Sequence, residues 1–162
     1  MRRHSLPALR GLCVLVLAWA GGAWAEEASE TPTDQALWLN LGALTYHPNQ
    51  SQGYNENNSG LGLEYRLKPD TSVMAGSFYN SVYRNTNYVA VNWQPIALGD
   101  WKLGLAMGVM NGYPAVENGG YFVAALPMAS YEGKRFGVNL SLIPSVAQID
   151  GALVVQVKFR LF

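Results

Sequence analysis

Cysteine is almost missing from this sequence. The single one, Cys13, lies in an N-terminal stretch that reads as a secretory signal. Arg2, Arg3 and Arg10 give it a basic start, Leu12 to Trp19 an apolar core, and Ala23-Trp24-Ala25 a small-x-small cleavage site. Cleavage after Ala25 would leave Glu26 to Phe162 with no cysteine, which excludes disulfides and thiolate metal sites. Histidine is equally scarce: beyond the signal only His47 remains, too few ligands with scattered carboxylates for a metal site. No apolar run after the signal is long enough for a membrane-spanning helix. Basic charge is thin and dispersed. Without the signal arginines, eight basic residues face eleven acidic ones, with no basic patch, so nucleic acid is not an expected partner.

What the chain does have is alternation. Leu153, Val155, Val157, Phe159 and Leu161 share one parity, and Gln156, Lys158 and Arg160 the other. Successive side chains of a strand point to opposite faces, so this is a strand with one oily and one charged face. Seven earlier segments read similarly. The expected strands are Ala36–Tyr46, Gly60–Leu67, Ser72–Tyr79, Asn87–Gln94, Trp101–Met110, Gly120–Tyr131, Phe136–Ile143 and Gly151–Phe162. Within the first, Leu37, Leu39, Leu41 and Ala43 fall on one face and Asn40, Gly42 and Leu44 on the other.

The connections alternate in length. Polar loops of about 7–12 residues follow the odd strands, and turns of about 4–6 the even ones, hairpin lengths. Short turns at one end and long loops at the other are the outer-membrane pattern. The expected fold is therefore an all-β, eight-stranded antiparallel transmembrane β-barrel of the outer membrane, covering 36–162. A signal peptide (1–25) and a polar periplasmic lead-in (26–35) precede it. A soluble secreted lipocalin-like barrel is the alternative, with the oily face turned inward. Frequent tyrosine and tryptophan, and charges on the face opposite the oily one, favour the membrane.

Two prolines interrupt the late strands. Proline donates nothing to a ladder, so Pro127 and Pro144 mark either a bulge and a strand end or a local gap in the barrel wall. At the loop end, strand one delivers His47 and strand three Asn80 and Ser81. A histidine suits proton transfer near neutral pH and a serine hydroxyl suits attack or hydrogen bonding.

Several short motifs in order resemble the lipid A palmitoyltransferase (PagP) family over about 115 residues. They are Leu44-Thr45-Tyr46-His47, Tyr54-Asn55-Glu56 with Gly60 and Gly62, Phe78-Tyr79-Asn80-Ser81, Trp93-Gln94-Pro95, Leu103-Gly104-Leu105, Leu126-Pro127-Met128-Ala129-Ser130 and Ile143-Pro144. The resemblance implies a cofactor-free, monomeric enzyme that moves a palmitoyl chain from a phospholipid to lipid A. It implies that His47, Ser81 and the residue at Asn80 are catalytic, and that Pro127 and Pro144 loosen the wall for sideways passage of acyl chains. Candidate inward residues for the acyl slot are Tyr88, Ala90, Gly104, Ala106 and Gly108.

The chain also departs from the family. Asn80 stands where the family has an aspartate, with Glu56 as a substitute acid, and Tyr88 stands where the pocket floor has a small residue. The amphipathic N-terminal helix is missing or reduced. Two other functions compete: a lipid A deacylase, which would want histidine on the late strands, and a non-enzymatic structural or adhesive barrel, in which His47 is incidental.

Overall fold

Period-two alternation is satisfied when every strand has one face on lipid and one on the lumen, and a closed sheet does this without leaving an edge. The computed structural model describes residues 35–145 and 149–162. The expected signal peptide and all but Gln35 of the lead-in lie outside them.

The strands are β1 (Leu37–Tyr46), β2 (Asn57–Lys68), β3 (Thr71–Tyr79), β4 (Asn85–Leu98), β5 (Trp101–Met110), β6 (Phe122–Glu132), β7 (Phe136–Ile143) and β8 (Ala152–Arg160). They form one closed antiparallel barrel in sequence order, with β8 paired to β1. The expected fold class is the observed one. β4 runs four residues past the expected end at Gln94, through Pro95, so that its turn shrinks to Gly99-Asp100. A register shift against β5 between Trp93 and Ile96 absorbs the proline.

The barrel is inside out relative to a soluble one. Leu61 is 62% exposed, Val89 60% and Val123 79%, whereas Glu64 and Lys158 are fully buried in the lumen. Aromatic side chains ring both ends of the oily wall. Tyr65, Trp93, Trp101, Tyr131, Phe136 and Phe159 lie towards the turns, and Tyr46, Tyr79, Tyr83 and Tyr121 towards the loops. Such girdles mark the two membrane interfaces.

One expectation about β1 is corrected. Its register slips between Leu41 and Ala43 against β2, and between Asn40 and Ala43 against β8. A Cβ on Gly42 would collide with backbone atoms of Asn58, Ser59 and Gly60, so only glycine fits at this bulge. Trp38 and Asn40 point inward below it. Above it Leu44 is outside, at 62% exposure, while Thr45 and His47 are buried. Unbroken alternation would have put His47 on the face of Leu37, Leu39 and Leu41, towards lipid.

The lumen is layered. Towards the turns it is filled by charge: Lys158 Nζ lies 3.0 Å from Glu64 and 2.7 Å from Glu132. Glu132 also pairs with Arg66 and, at 3.1 Å, with Lys102. Asn92, Gln94, Ser130 and Asn139 extend this layer, Ser130 donating to Asn139 at 2.7 Å. Above it the inward residues of β3 to β6 are mostly apolar and part-buried, namely Phe78, Ala90, Gly108, Met110, Phe122 and Ala124, while the polar Thr45, Asn58 and Thr86 are buried at the same end. Tyr88 lies between the layers, its hydroxyl over Gly62 and Gly76, where any Cβ would strike it.

Candidate functional site

At the loop end, the bulge brings His47 into a cluster. Its ring stacks on Tyr54, centroids 4.3 Å apart with an interplanar angle of 28°. Its backbone N–H donates to Glu56 Oε1 at 3.3 Å, and the Gln50 amide donates to the same oxygen at 2.9 Å. Tyr54 donates its hydroxyl to Asp150 at 2.9 Å, and Asn49 donates to the same carboxylate oxygen at 3.1 Å. His47 is 5% exposed, and its Nδ1 has no partner among the described residues.

Burial and the neighbouring charges act on His47 in opposite directions. Burial lowers its pKa and dominates; the Glu56 and Asp150 carboxylates pull it back up in part. The net shift is downward, so the ring is neutral at pH 7 and Nδ1 or Nε2 is available as a base. Glu56 is held below the ordinary carboxylate range, first by the Gln50 amide and then by the His47 backbone N–H. Tyr54 is pushed up, first by burial and then by its bond to Asp150.

Ser81 is brought to the same mouth, buried, through the intervening tripeptide. Asn55 N–H donates to the Ser81 carbonyl at 2.9 Å, and the Asn55 amide donates to the Asn80 carbonyl at 3.2 Å. Tyr54-Asn55-Glu56 therefore touches His47 on one side and the Asn80-Ser81 turn on the other. Glu56 does not reach the imidazole nitrogens: its contact is with the backbone of His47.

Asn80 is used differently from the sequence expectation. Its Oδ1 accepts from Val82 and Arg84 N–H at 3.0 and 2.9 Å. Its Nδ2 donates to Thr86 Oγ1 at 3.0 Å and to the Gly112 carbonyl at 2.8 Å. Two donors and two acceptors exhaust the amide, so it shapes the turn that carries Ser81 and has nothing left for His47.

The residues expected to line an acyl slot divide by height. Tyr88 faces the lumen, and Ala90 pairs with Gly108 in the apolar upper part. Ala106 is opposite Asn92, at the edge of the polar layer. Gly104 lies within that layer, against the backbone of Trp93 and Gln94, where it admits no side chain.

The prolines frame a seam. β6 pairs with β7 only from Met128↔Ser141 to Glu132↔Gly137. Pro127 is the first β6 residue above this ladder, and Pro144 directly follows the end of β7. Among the described residues, Phe122 to Pro127 have no partner on β7, although they pair fully with β5.

Tyr54 as a stacking partner and Asp150 as its acceptor were not identified from sequence. Their contact joins residues 96 positions apart, which no local pattern encodes. Among the described residues, no group of three or more His, Cys, Asp or Glu side chains is placed to hold a metal ion.

No protein-family model matches the chain, and no curated protein matches it in sequence. Solved structures do match in shape. A structure from the de novo design of transmembrane β-barrels aligns at a TM-score of 0.56 with 10% identity, covering 81% of this chain and 98% of that one. The de novo designed TMB2.3, solved by solution NMR, aligns at 0.57 with 16% identity, covering 79% and 96%. The N-terminal β-barrel domain of Pseudomonas aeruginosa OprF aligns at 0.46 with 13% identity, covering 80% and 98%. At such identities the first two show a shared fold, that of a transmembrane β-barrel, and nothing of activity. None ties the chain to the palmitoyltransferase family, whose resemblance rests on the sequence motifs alone.

Proposed function

We propose that this chain is an outer-membrane acyltransferase that moves an acyl chain from a phospholipid to lipid A. The observation that carries the reading is the pairing of an unladdered β6–β7 seam with an upper lumen that is mostly apolar on its β3 to β6 side, beneath a buried histidine. A lipid tail passing the seam from the outer leaflet would lie against Phe78, Met110 and Phe122, with the polar layer below as a floor. Its ester would then rest near the mouth. His47 takes the proton of the lipid A hydroxyl as that oxygen attacks the ester carbonyl. The C–O bond to the glycerol breaks, and the proton passes to the departing lysophospholipid alkoxide. Ser81 hydrogen-bonds the carbonyl oxygen or its tetrahedral successor. Asn80 positions Ser81 and takes no part in the transfer.

A second reading is a non-enzymatic structural or adhesive barrel. It is favoured by the charged layer that fills the lower lumen and by shape matches that carry a barrel and no activity. It asks nothing of His47 or Ser81.

Mass spectrometry of lipid A from outer-membrane preparations, with and without the protein, separates the two. A species heavier by one acyl unit, absent with His47→Ala and Ser81→Ala, supports the transferase. Loss of an acyl chain would instead indicate a deacylase. Unchanged lipid A, with the folded barrel present in the membrane, would leave the structural reading.

A further inference from the structure

The opposite end of the barrel carries a second feature that the acyl-transfer reading does not use. A cavity of about 230 Å³ opens at the turn end, lined among others by Trp38, Arg66, Lys102, Glu132 and Arg160. It adjoins a second hollow that includes Lys134. Its charges do not balance. Glu132 is already shared by Arg66, Lys102 and Lys158, and among the described residues Asp100 at the rim is the only other carboxylate side chain of the lining.

Arg160 is the residue left over. Its Nε donates to the Phe162 main-chain oxygen at 3.3 Å, and its guanidinium carbon stands 5.9 Å from the Trp38 ring centroid. Among the described residues no carboxylate side chain pairs with it, and its two terminal nitrogens have no protein partner. Trp38 lines the cavity as well. It is 2% exposed, and its indole N–H has no partner among the described residues.

We propose that this turn-end cavity is an anion site that takes a phosphate group. Phosphate suits the cationic donors present: the two terminal nitrogens of the Arg160 guanidinium and a part-exposed lysine ammonium at Lys102. A singly charged phosphate group would match the one positive charge in excess among the described lining residues, without displacing Glu132 from its three partners. The group can arrive as a soluble phosphate or as the headgroup of an anionic phospholipid. The latter is close at hand, because the Trp101–Tyr131 pair, centroids 5.6 Å apart, places the membrane interface beside this mouth.

The test is calorimetric titration of the full chain folded in zwitterionic micelles. One arm adds sodium phosphate, with sodium chloride at matched ionic strength as the control. The other adds a short-chain phosphatidylglycerol, with the corresponding phosphatidylcholine as the control. Saturable heat with phosphate identifies a soluble anion, and saturable heat with phosphatidylglycerol alone identifies a headgroup. Either supports the site if Arg160→Gln weakens binding about tenfold, the loss of one charge-assisted contact. Arg160→Lys, which keeps the charge but removes the fork, should fall between. No saturable heat in either arm overturns the proposal, and so does binding that Arg160→Gln and Lys102→Gln leave unchanged. The wild-type titrations decide the first point even if a variant does not fold.

Discussion

Lys158 and Glu64 form an ion pair 3.0 Å long with neither side chain exposed. β8 and β2 supply the two charges, one from each neighbour of β1, and β1 crosses between them with Trp38 and Asn40. The pair is embedded rather than isolated: Ser72 donates to Glu64 at 2.7 Å, and Glu132 takes the same lysine at 2.7 Å.

Removing one member of such a pair leaves the other buried and uncompensated. Lys158→Met is expected to destabilise the barrel by about 3–5 kcal/mol. Glu64→Gln combined with Lys158→Met should recover part of that loss, because Glu132 keeps Arg66 and Lys102. Urea unfolding from lipid vesicles, followed by the heat-modifiable shift on gels, gives both values. Equal losses in the single and double variants would mean that the two charges are not coupled.

The seam between β6 and β7 makes a separate, reversible test. Continuing their register upward would place Leu126 opposite Ile143, both facing inward. With Leu126→Cys and Ile143→Cys, oxidation would stitch the wall shut. Acyl transfer is expected to fall at least about tenfold when oxidised and to return with reductant, since a lipid cannot pass a sealed barrel wall without breaking ladder hydrogen bonds. Transfer rates indifferent to the cross-link would show that substrate does not use this seam.

Much of this architecture is legible in the sequence, and the reason is period two. Trp101, Leu103, Leu105 and Met107 against Lys102, Gly104 and Ala106 spell a strand because lipid and lumen sort side chains by parity. The bulge at Gly42 was not legible. A single glycine in a strand fits either regular pairing or a slip, and only the approach of Asn58, Ser59 and Gly60 decides it. That slip also places His47, so the candidate site depended on a feature the alternation concealed. Pro127 and Pro144 signalled interrupted pairing, yet which neighbour was lost required the register. Asn80 was recognisable as a mouth residue, but its four hydrogen bonds lie within its own turn and reach Gly112, beyond any motif.

Tyr88 sets the depth available above the polar layer. Its hydroxyl approaches Gly62 and Gly76 so closely that neither position tolerates a Cβ without movement. Tyr88→Ala should extend the upper lumen downward and shift the transferred chain towards longer acyl groups, read as added mass on lipid A. Gly62→Ala should have the opposite sense, pushing the ring upward and favouring shorter chains. An unaltered chain length in both variants would show that acyl chains do not reach this level.

The pH response of His47 follows from its surroundings. Burial lowers its pKa below the ordinary value of about 6.5, with Glu56 and Asp150 offsetting only part of the shift. A general base must be neutral, so transfer should decline as pH falls, with the midpoint of the decline below about 6.5. Glu56→Gln removes one of the two carboxylates that raise the pKa and should move the decline to still lower pH. Stability carries the same sign. The unfolded chain binds the proton more readily than the folded one, so the contribution is full above the unfolded pKa and is lost as pH falls through it towards the folded value. Transfer rates and unfolding midpoints measured between pH 5 and 8 test both, with His47→Gln as the control that should flatten the stability response in that window. An activity decline centred above 6.5, or one that Glu56→Gln moves upward, would remove His47 as the base.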